Sequence, residues 1–399
     1  MQILLLHNYH RTGAPSGDDS VFKNEVSLLQ DKGHKVVVYK RYNDELFNAS
    51  LIKKIPMFIQ AIWSIKSYRD IKKIILKEKP DVAHFHNIFP LVSPSAYYAC
   101  YKMGIPVVQT LHDFRFLCPI AFFFRDGRIC EECAKDGLWK GVKYGCFKNS
   151  RFQSSIVALI LWFHKLIGTW KRKVNFFICL TESERKKFIE FGFPENKIVV
   201  KPNFLAGSHD IYSDKSSYAI FMGRLSFEKG VQILLTALKE LKDIPLKILG
   251  DGHQRDEFKS LAGSLGLKNI EFLGMQSHSE AIKLLHNARF MIMPSLWYET
   301  FGLTIVEAFA CSKPVIASNL GAMADLVKDG ETGLLFEAGN PGELAKKIKW
   351  LWENPSEAIL MGKRARKEYE TKYTPGKNYD MLLDIYKKTI ENFHARKTD

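Results

Sequence analysis

A chain of 399 residues is long enough for two domains, each with its own hydrophobic core. Its hydrophobic content of 46% and charged content of 25% are typical of a soluble globular protein. No apolar run reaches the ~18–20 residues that a membrane-spanning helix needs, since the longest, Ile156–Ile167, is interrupted by His164 and Lys165. Composition therefore argues against an integral membrane protein.

The net charge of +15 is concentrated in the first half of the chain, where residues 1–200 carry 31 Lys and Arg against 18 Asp and Glu. Such a balance predicts contact with an anionic partner. Aromatic residues lie among the basic ones in Leu51–Lys79 and Phe163–Lys173, which fits a membrane surface or an ordinary solvated helix face. No nucleic-acid-binding module is recognisable, so nucleic acid is not an expected partner.

Met1–Leu6 has the pattern of a first strand rather than of a secretory signal. We therefore expect a cytoplasmic protein, with peripheral contact to the inner face of the cell membrane as the hypothesis that the basic half suggests.

Short apolar runs alternate with helix-length segments along the whole chain, and this alternation predicts parallel sheets with helices on both faces. In the first half the predicted strands are Ile3–Leu6, Val36–Tyr39, Val82–Phe85, Val107–Thr110, Phe176–Leu180 and Ile198–Val200, with helical segments such as Ser20–Lys32 and Ile52–Lys79 between them. In the second half they are Tyr218–Met222, Leu246–Gly250, Ile270–Leu273, Phe290–Met293, Pro314–Ala317 and Gly333–Phe336. Two such series predict two doubly wound α/β domains, which join near Pro202–Ser217, and a final helix at Asn378–Phe393.

In doubly wound sheets the carboxyl ends of the strands carry the ligand sites, and two loops of the first half lie there. In His7–Glu25, Gly13 or Gly17 could bring backbone N–H groups to a ligand. In Thr110–Pro119, His112 and Asp113 follow a strand directly, and His112 could bind a hydroxyl group or transfer a proton. A lone histidine is more often structural, so this role is a hypothesis.

Four of the seven cysteines, Cys118, Cys130, Cys133 and Cys146, lie close together in the chain, the middle pair with the spacing C-x2-C. This spacing fits tetrahedral zinc ligation by four thiolates. Two disulfides, or reduced thiols without a ligand, are the alternatives. The other three, Cys100, Cys179 and Cys311, lie in apolar segments and are expected in the core.

Two glycine-containing loops follow strands of the second half. In GRLSFEKG (Gly223–Gly230), Arg224 and Lys229 could bind a diphosphate at the carboxyl edge of the sheet. In LGDGHQRDEF (Leu249–Phe258), Gly250 and Gly252 have no side chain, so another group could approach the backbone closely there. A solvated surface loop is the alternative for the first motif, and the GDG sequence alone is weak evidence.

The run Met291–Ser318 predicts a strand, a loop, a helix and a second strand. Glu299 lies in the loop and Glu307 in the first turns of the helix, so both carboxylates could bind sugar or ribose hydroxyls in one pocket. Gly302 would let the backbone approach the ligand. The alternative is an ordinary loop with two solvated glutamates.

Taken together, these elements resemble the retaining nucleotide-sugar glycosyltransferases of family 4, which have the GT-B fold. The matching segments are GRLSFEKG, LGDG, the FLG of Phe272–Gly274, Pro294–Ser318 with its two glutamates, Val200–Asn203, Gly330–Phe336 and the GH of Gly33–Tyr39. The resemblance covers essentially the whole chain and is strongest to bacterial enzymes of surface polysaccharide synthesis that carry TLHDFR followed by a cysteine cluster.

The resemblance implies an α/β architecture of two Rossmann-like domains facing a cleft, with a C-terminal helix that crosses back to the N-terminal domain. The corresponding boundaries are an acceptor-binding domain at 1–204, a donor-binding domain at 205–376 and the returning helix at 377–399.

It also implies roles for individual residues, all without a catalytic metal. Arg224 and Lys229 would hold the donor diphosphate, Glu307 the ribose, and Glu299 with the backbone of Phe301, Gly302 and Leu303 the transferred sugar. His112 would face that sugar, and Gly17, Gly250 and Met275 would complete the donor site. Gly17 follows Ser16 where relatives often have two glycines.

The sequence therefore predicts a retaining hexosyltransferase that uses a nucleoside diphosphate sugar such as UDP-glucose. The expected acceptor is a saccharide or a lipid-linked saccharide in polysaccharide biosynthesis. The alternatives are a nucleotide-sugar epimerase of the same fold and a non-catalytic, metal-stabilised protein that binds membrane or nucleic acid.

Overall fold

The computed structural model describes residues 1–10, 16–47, 60–207 and 217–398. Gly13, the first part of Leu51–Lys79 and most of the predicted join at Pro202–Ser217 lie outside the described residues. Among the helices that are described, none is long and apolar enough to cross a membrane.

The first half of the chain alternates strands and helices as its apolar pattern predicts. The elements are β1 (Gln2–Tyr9), α1 (Gly17–Asp31), β2 (Lys35–Tyr42), α2 (Asp44–Phe47), α3 (Ile65–Glu78), β3 (Val82–Phe85), α4 (Ser95–Lys102), β4 (Val107–Thr110), β5 (Phe124–Arg125), β6 (Arg128–Ile129), α5 (Glu132–Lys135), α6 (Trp139–Lys143), α7 (Arg151–Leu166), α8 (Thr169–Lys173), β7 (Phe176–Cys179), α9 (Glu182–Glu190) and β8 (Ile198–Val200).

The second half repeats the alternation and ends in three helices. The elements are β9 (Tyr218–Met222), α10 (Val231–Ala237), β10 (Leu246–Leu249), α11 (Arg255–Ser264), β11 (Ile270–Gly274), α12 (His278–His286), β12 (Ala288–Met293), α13 (Leu303–Ala310), β13 (Val315–Ser318), α14 (Ala322–Leu326), β14 (Gly333–Phe336), α15 (Pro341–Glu353), α16 (Pro355–Lys372) and α17 (Pro375–Thr398).

These strands form two six-stranded parallel sheets, in the orders β2-β1-β3-β4-β7-β8 and β11-β10-β9-β12-β13-β14. In each sheet the chain first adds strands on one side of its first strand, β1 or β9, and then continues on the other side. The strand order therefore reverses beside β1 and beside β9. Ligand sites in doubly wound folds lie at such a reversal, at the carboxyl ends of the strands. The predicted fold class of two Rossmann-like domains is confirmed.

One predicted helix is wrong in its extent. The segment Ile52–Lys79 was predicted as one helical stretch, but Trp63 and Ser64 are not helical. The side chain of Ser64 accepts a hydrogen bond from the backbone N–H of Ser67 and so caps the N-terminus of α3. A serine cap satisfies an N–H group that has no partner within the helix, which explains the break.

The chain divides into two compact units, one of residues 1–122, 131–203 and 375–399 and the other of residues 123–130 and 204–374. Helix α17 thus belongs to the first unit, where the buried Leu382, Ile385 and Tyr386 join the core of the first sheet. This return of the last helix agrees with the predicted fold.

The hairpin β5–β6, which belongs to the second unit, was not predicted, because strands of two residues are too short to show an alternating pattern.

Candidate functional site

In the second unit, the loops after β9 and β10 pack against each other through glycines. The backbone N–H of Leu225 donates to the carbonyl of Asp251 at 2.9 Å. A Cβ atom at Gly250 would lie 1.9 Å from the carbonyl oxygen of Gly223, and one at Gly252 would lie 2.2 Å from that of Leu225. Only glycine permits this approach, so the GDG sequence sets the path of the loop that carries Arg224.

The two cations of GRLSFEKG have different surroundings. The guanidinium of Arg224 donates to Glu228 Oε1 at 2.8 Å and is 52% exposed. The Nζ of Lys229 donates to Glu299 Oε1 at 2.6 Å and lies 5.1 Å from the centre of the Trp297 ring. Arg224 therefore has an exposed positive group at the loop, whereas Lys229 is held by an ion pair.

Glu299 lies in the loop after β12 and contacts the loop after β9, which carries Arg224 and Lys229. Its Oε1 accepts hydrogen bonds from Lys229, from Ser295 Oγ at 2.8 Å and from Trp297 Nε1 at 2.7 Å, and the residue is 8% exposed. The structure thus brings together Lys229 and Glu299, which the sequence assigned separately to the diphosphate and to the sugar. One oxygen of the carboxylate is engaged within the protein.

Glu307 lies in α13 and has a partner that sequence reasoning missed. The Nε2 of His278, at the start of α12, lies 3.1 Å from Glu307 Oε1, and this hydrogen bond raises the pKa of His278 above its ordinary value. His278 follows no strand directly and stands in no motif, so nothing in the sequence indicates it. A histidine beside the predicted ribose ligand adds a group that can change charge near neutral pH.

The remaining predicted donor residues differ in how their side chains are placed. Gly302 caps the N-terminus of α13 with φ +94°, a conformation that favours glycine. The side chain of Phe301 is buried, with its ring 6.0 Å from that of Tyr373, so only its backbone can serve a ligand. Leu303 is the first residue of α13, and Met275 is 79% exposed.

The unpredicted hairpin β5–β6 contacts both donor loops. The ring of Phe123 lies 6.4 Å from that of Tyr298, next to Glu299. A Cβ atom at Gly127 would lie 3.2 Å from the ring of Phe227, next to Glu228. The hairpin therefore supports the loops that hold Arg224, Lys229 and Glu299.

A cavity of about 530 Å³ in the second unit contains none of these residues and is lined by groups that include Asn319, Glu337 and Lys347. The candidate donor site is therefore defined by its charged groups and its loop backbone rather than by this cavity.

In the first unit, three residues form a chain of hydrogen bonds from the core to the carboxyl ends of β3 and β4. Glu25 Oε1 lies 3.0 Å from His86 Nε2, and His86 Nδ1 lies 2.9 Å from His112 Nε2. His112 lines a small pocket together with Asp18 and Arg115. Sequence reasoning singled out His112 but missed its two supporting residues.

The electrostatics of this chain fix the protonation of His112. Burial by itself raises the pKa of Glu25, but Lys201, His84 and His86 outweigh burial and hold that pKa well below its usual range. Burial lowers the pKa of His86 far below its ordinary value and that of His112 to about 4. An ionised Glu25 and a neutral His86 place the imidazole proton of His86 on Nε2, so His112 donates from Nε2 to His86 Nδ1.

Glu25 also anchors the last helix. Lys201 Nζ lies 3.3 Å from Glu25 Oε2 and 3.1 Å from Asn378 Oδ1 on α17. His84 Nδ1 lies 3.0 Å from Glu25 Oε1 and 2.7 Å from the hydroxyl of Tyr386. Glu25, His84 and His86 could in geometry hold a metal ion, but the ammonium of Lys201 already supplies a positive charge beside this carboxylate.

The first loop is organised by its acidic residues. Ser16 and Asp19 form a capping box at the start of α1, where Gly17 is the first helical residue. Asp19 Oδ1 also lies 2.8 Å from His7 Nε2, and both side chains are buried. Asp18, which with His7 and Asp19 forms a second group with metal-ligand geometry, lines the same pocket as His112.

Stability should depend on pH through His112. An unfolded histidine takes up its proton near pH ~6.5, whereas folded His112 does so only near pH 4. Between these values the unfolded state binds more protons, so the free energy of unfolding falls as the pH is lowered. We expect the melting temperature of the wild type to fall more steeply from pH 6.5 to pH 4 than that of His112→Asn in scanning calorimetry. Parallel curves would contradict this, and replacing the exposed His253 by Asn is the control.

Each half of the chain is similar to a known protein family. The model for "Glycosyltransferase Family 4" matches residues 19–205, and that for "Glycosyl transferases group 1" matches residues 210–368. An uncharacterized glycosyltransferase of Methanocaldococcus jannaschii, MJ1178, is 28% identical over 359 residues, which cover 88% of this chain and 89% of the relative. The D-rhamnosyltransferase WbpZ of Pseudomonas aeruginosa is 35% identical over 159 residues, 39% of this chain and 42% of that protein.

Solved structures agree on the fold. HepE of Anabaena, in complex with UDP and glucose, matches with a TM-score of 0.68 and 19% identity, over 97% of this chain and 100% of that chain. A glycosyltransferase of Rickettsia africae matches with a TM-score of 0.70 and 19% identity, over 98% and 99% of the two chains. The two family models follow each other along the chain in the order of its two units, and the chain belongs to the family 4 glycosyltransferases of GT-B fold.

Proposed function

We propose that the protein transfers a hexose of the glucose type from a UDP-linked sugar to a saccharide or lipid-linked saccharide, with retention at the anomeric carbon. The observation that carries the proposal is the contact between Lys229 and Glu299 on adjoining loops of the second unit, with the exposed guanidinium of Arg224 on the same loop as Lys229. Cations stabilise a departing diphosphate, and a carboxylate binds sugar hydroxyls.

In this proposal Arg224 and Lys229 bind the diphosphate and stabilise the charge that develops on its leaving oxygen. Arg224 can turn towards a ligand at little cost, because its side chain is 52% exposed. Glu299 and the backbone at Phe301, Gly302 and Leu303 bind the sugar, and Glu307 binds the ribose. Gly17, Gly250 and Met275 complete the donor contacts, and the chemistry needs no metal ion.

The choice of donor rests on similar proteins. HepE has been seen with UDP-glucose, and Staphylococcus aureus TarM with UDP. Relatives in sequence include a D-rhamnosyltransferase and an O-antigen chain mannosyltransferase, which fits a role in making surface polysaccharides. A uridine nucleotide with a glucose-type sugar is the donor we propose.

The acceptor is proposed to bind the N-terminal domain, residues 1–204, with the donor domain at 205–376 and the returning helix at 377–399. His112 is the group proposed to face the reacting sugar. As a neutral imidazole that donates from Nε2 to His86, it presents Nδ1 as an acceptor for a sugar hydroxyl.

The acceptor side is also proposed to touch an anionic membrane surface through helix α7. Four apolar side chains, Phe152, Leu159, Trp162 and Leu166, follow the helical period on one face and are 68%, 39%, 43% and 66% exposed. Residues 137–181 contain eight Lys and Arg and no Asp or Glu. An apolar face flanked by cations is the pattern of a helix that lies in a membrane interface.

Vesicle binding tests this contact. The protein should co-sediment with vesicles that contain anionic phospholipid at low salt, and Phe152→Ser with Trp162→Ser should lower the bound fraction several-fold, because the apolar anchor is lost. The matched control is Ile359→Ser with Leu360→Ser on α16, where the two side chains are 50% and 41% exposed. Wild-type protein that ignores anionic vesicles would remove the membrane proposal and leave the transferase proposal intact.

The transferase proposal is tested by release of nucleoside diphosphate from UDP-, GDP- and ADP-sugars, with and without a saccharide acceptor. We expect release that depends on the acceptor, and a product whose anomeric configuration, read by NMR, is that of the donor. Conversion of the donor alone would indicate an epimerase. Absence of turnover with every donor and acceptor would contradict the proposal.

A further inference from the structure

We propose that His278 is a positioning residue of the donor site, whose imidazole holds one oxygen of the Glu307 carboxylate and leaves the other oxygen ready to accept a ribose hydroxyl of the nucleotide. The inference rests on the proposed function, because it takes the ribose as the ligand of Glu307. It adds to that function the residue that orders Glu307 before the donor binds.

The contact between the two side chains is a hydrogen bond from one helix to another. His278 Nε2, on α12, lies 3.1 Å from Glu307 Oε1, on α13. The side chain of Glu307 is 13% exposed, whereas that of His278 is 66% exposed. Within residues 217–398, which the structure describes, there is no hydrogen bond to Glu307 Oε2. The carboxylate is therefore held at one oxygen, and the other oxygen can take a ligand.

The backbones on both sides of this hydrogen bond are fixed. His278 is the first residue of α12, and the side chain of Ser277 caps that helix by accepting the backbone N–H of Glu280 at 3.3 Å. The far end of α12 contacts the residue that follows α13, since His286 Nε2 lies 3.5 Å from Cys311 Sγ. Four residues of α13 are fully buried, namely Ile305, Val306, Ala308 and Phe309. The freedom that remains at the site is that of the glutamate side chain.

Restricting this side chain in advance favours donor binding. A glutamate on a helix surface samples several rotamers, and a ligand must select one of them. Ordering one such side chain on binding weakens affinity by roughly 2–10-fold. The hydrogen bond from His278 already restricts Glu307 in the free protein, so the donor does not have to order it. His278 therefore acts on affinity through Glu307.

Glu307 is the charged group that acts on the His278 ring. Their hydrogen bond raises the pKa of His278 above its ordinary value, although partial burial acts in the opposite direction. On α12 itself, Glu280 and Lys283 pair with each other at 3.6 Å. On β12, against which α12 packs, Arg289 donates to a backbone carbonyl of α15. Glu307 is the one ionisable residue of α13. The imidazole therefore keeps its proton at pH values at which a solvated histidine has begun to lose it.

The charge of His278 gives the contact a pH dependence of defined sign. Nε2–H can donate to Glu307 from the neutral and from the protonated ring, but the protonated ring makes a stronger, charge-assisted hydrogen bond. It also adds a positive charge to a site that binds a diphosphate. Donor affinity should therefore rise as the pH falls through the pKa of His278, which lies above ~6.5. The exposure of the ring limits this change to a few-fold.

Isothermal titration of UDP-glucose between about pH 6 and pH 8, where a histidine titrates, tests the inference. Near neutral pH, His278→Ala should bind UDP-glucose about 2–10-fold more weakly than the wild type, and the donor KM should rise with kcat unchanged. His278→Gln, whose amide can donate to Glu307 but carries no charge, should recover most of the affinity and lose the pH dependence. The matched control is Lys283→Ala, which removes an exposed cation of the same helix and should behave as the wild type.

Ribose analogues show whether the effect passes through Glu307. The wild type should bind the 2′-deoxyribose or the 3′-deoxyribose form of UDP-glucose more weakly than UDP-glucose itself, because one hydroxyl contact is lost. In His278→Ala this difference should be smaller, since a disordered Glu307 contributes less to that contact. Such non-additivity is the sign of two groups that act together.

The outcomes separate this inference from the donor proposal. If the wild type binds UDP-glucose and His278→Ala equals it in affinity and pH dependence, the role of His278 is overturned and the donor site stands. Equal weakening of UDP-glucose and its deoxy forms in His278→Ala would overturn that role too, since His278 would then act on the fold rather than on Glu307. Wild-type protein that binds no UDP-glucose would contradict the proposed donor and, with it, this inference. If His278→Ala does not fold in calorimetry, the pH dependence of His278→Gln decides, and a wild-type pH dependence there would overturn the role.

Discussion

Lys229→Ala and Arg224→Ala are each expected to lower kcat/KM for sugar transfer by at least ~100-fold, because removing one group that stabilises transition-state charge typically costs roughly 2.7–4 kcal/mol. The two variants should differ in how they bind the donor. Lys229 holds Glu299 at 2.6 Å, so its loss should disturb the proposed sugar ligand and the diphosphate contact together. Arg224 is half exposed and pairs only with groups of its own loop among its recorded contacts.

Steady-state kinetics with the best donor is the measurement, and calorimetry checks that the variants fold. Lys349→Ala and Arg364→Ala remove exposed cations of the same unit that lie in other helices, α15 and α16, and should keep wild-type rates. Wild-type rates in both Lys229→Ala and Arg224→Ala would remove the assignment of the diphosphate to this loop.

Replacing Glu25 is the change expected to have the largest effect on stability. Glu25→Ala removes the partner of Lys201, which is 1% exposed, and of His86, which is 2% exposed. Breaking a buried ion pair from one side costs about 3–5 kcal/mol, because the remaining charge stays buried without its partner. At ~2–4 °C per kcal/mol for a unit of this size, the melting transition of the first unit should fall by roughly 10 °C.

Scanning calorimetry measures this shift. Glu190→Ala removes an exposed carboxylate of the same unit that pairs with Lys187 and should move the transition little, since surface pairs contribute about 0–1 kcal/mol. Glu25→Leu combined with Lys201→Met should be more stable than Glu25→Leu alone, because no unpaired charge remains. A shift below 1 °C in Glu25→Ala would mean that the buried network does not stabilise the unit.

The sheets could be predicted from the sequence because their strands are buried on both faces and appear as continuous apolar runs. For example, β3 and β4 are buried at all four positions. The loops with Arg224 and Glu299 could be predicted because glycines and charged residues directly follow such strands. The link between Lys229 and Glu299 could not, since residues 70 positions apart meet only through the tertiary fold.

Glu25 and His278 could not be predicted from the sequence, whereas His84 and His86 could. Glu25 lies on an amphipathic helix, where a glutamate is normally exposed, and only the fold shows that it is buried against His84 and His86. Those two histidines alternate with apolar residues in VAHFH, which was a signal, because residues two apart on a strand share a face. His278 has no comparable pattern around it.

The most direct test of the proposed donor site is isothermal titration of UDP, GDP and ADP, each with its common sugars, into the wild type and Arg224→Ala. We expect that one nucleotide series, the uridine series, binds, and that Arg224→Ala weakens that binding at least several-fold through loss of a charge-assisted hydrogen bond. Saturating ligand should also raise the melting temperature, since ~100 times the dissociation constant adds about 2.7 kcal/mol. If no nucleotide binds the folded wild-type protein, or if Arg224→Ala binds as tightly as the wild type, the donor site proposed here is contradicted.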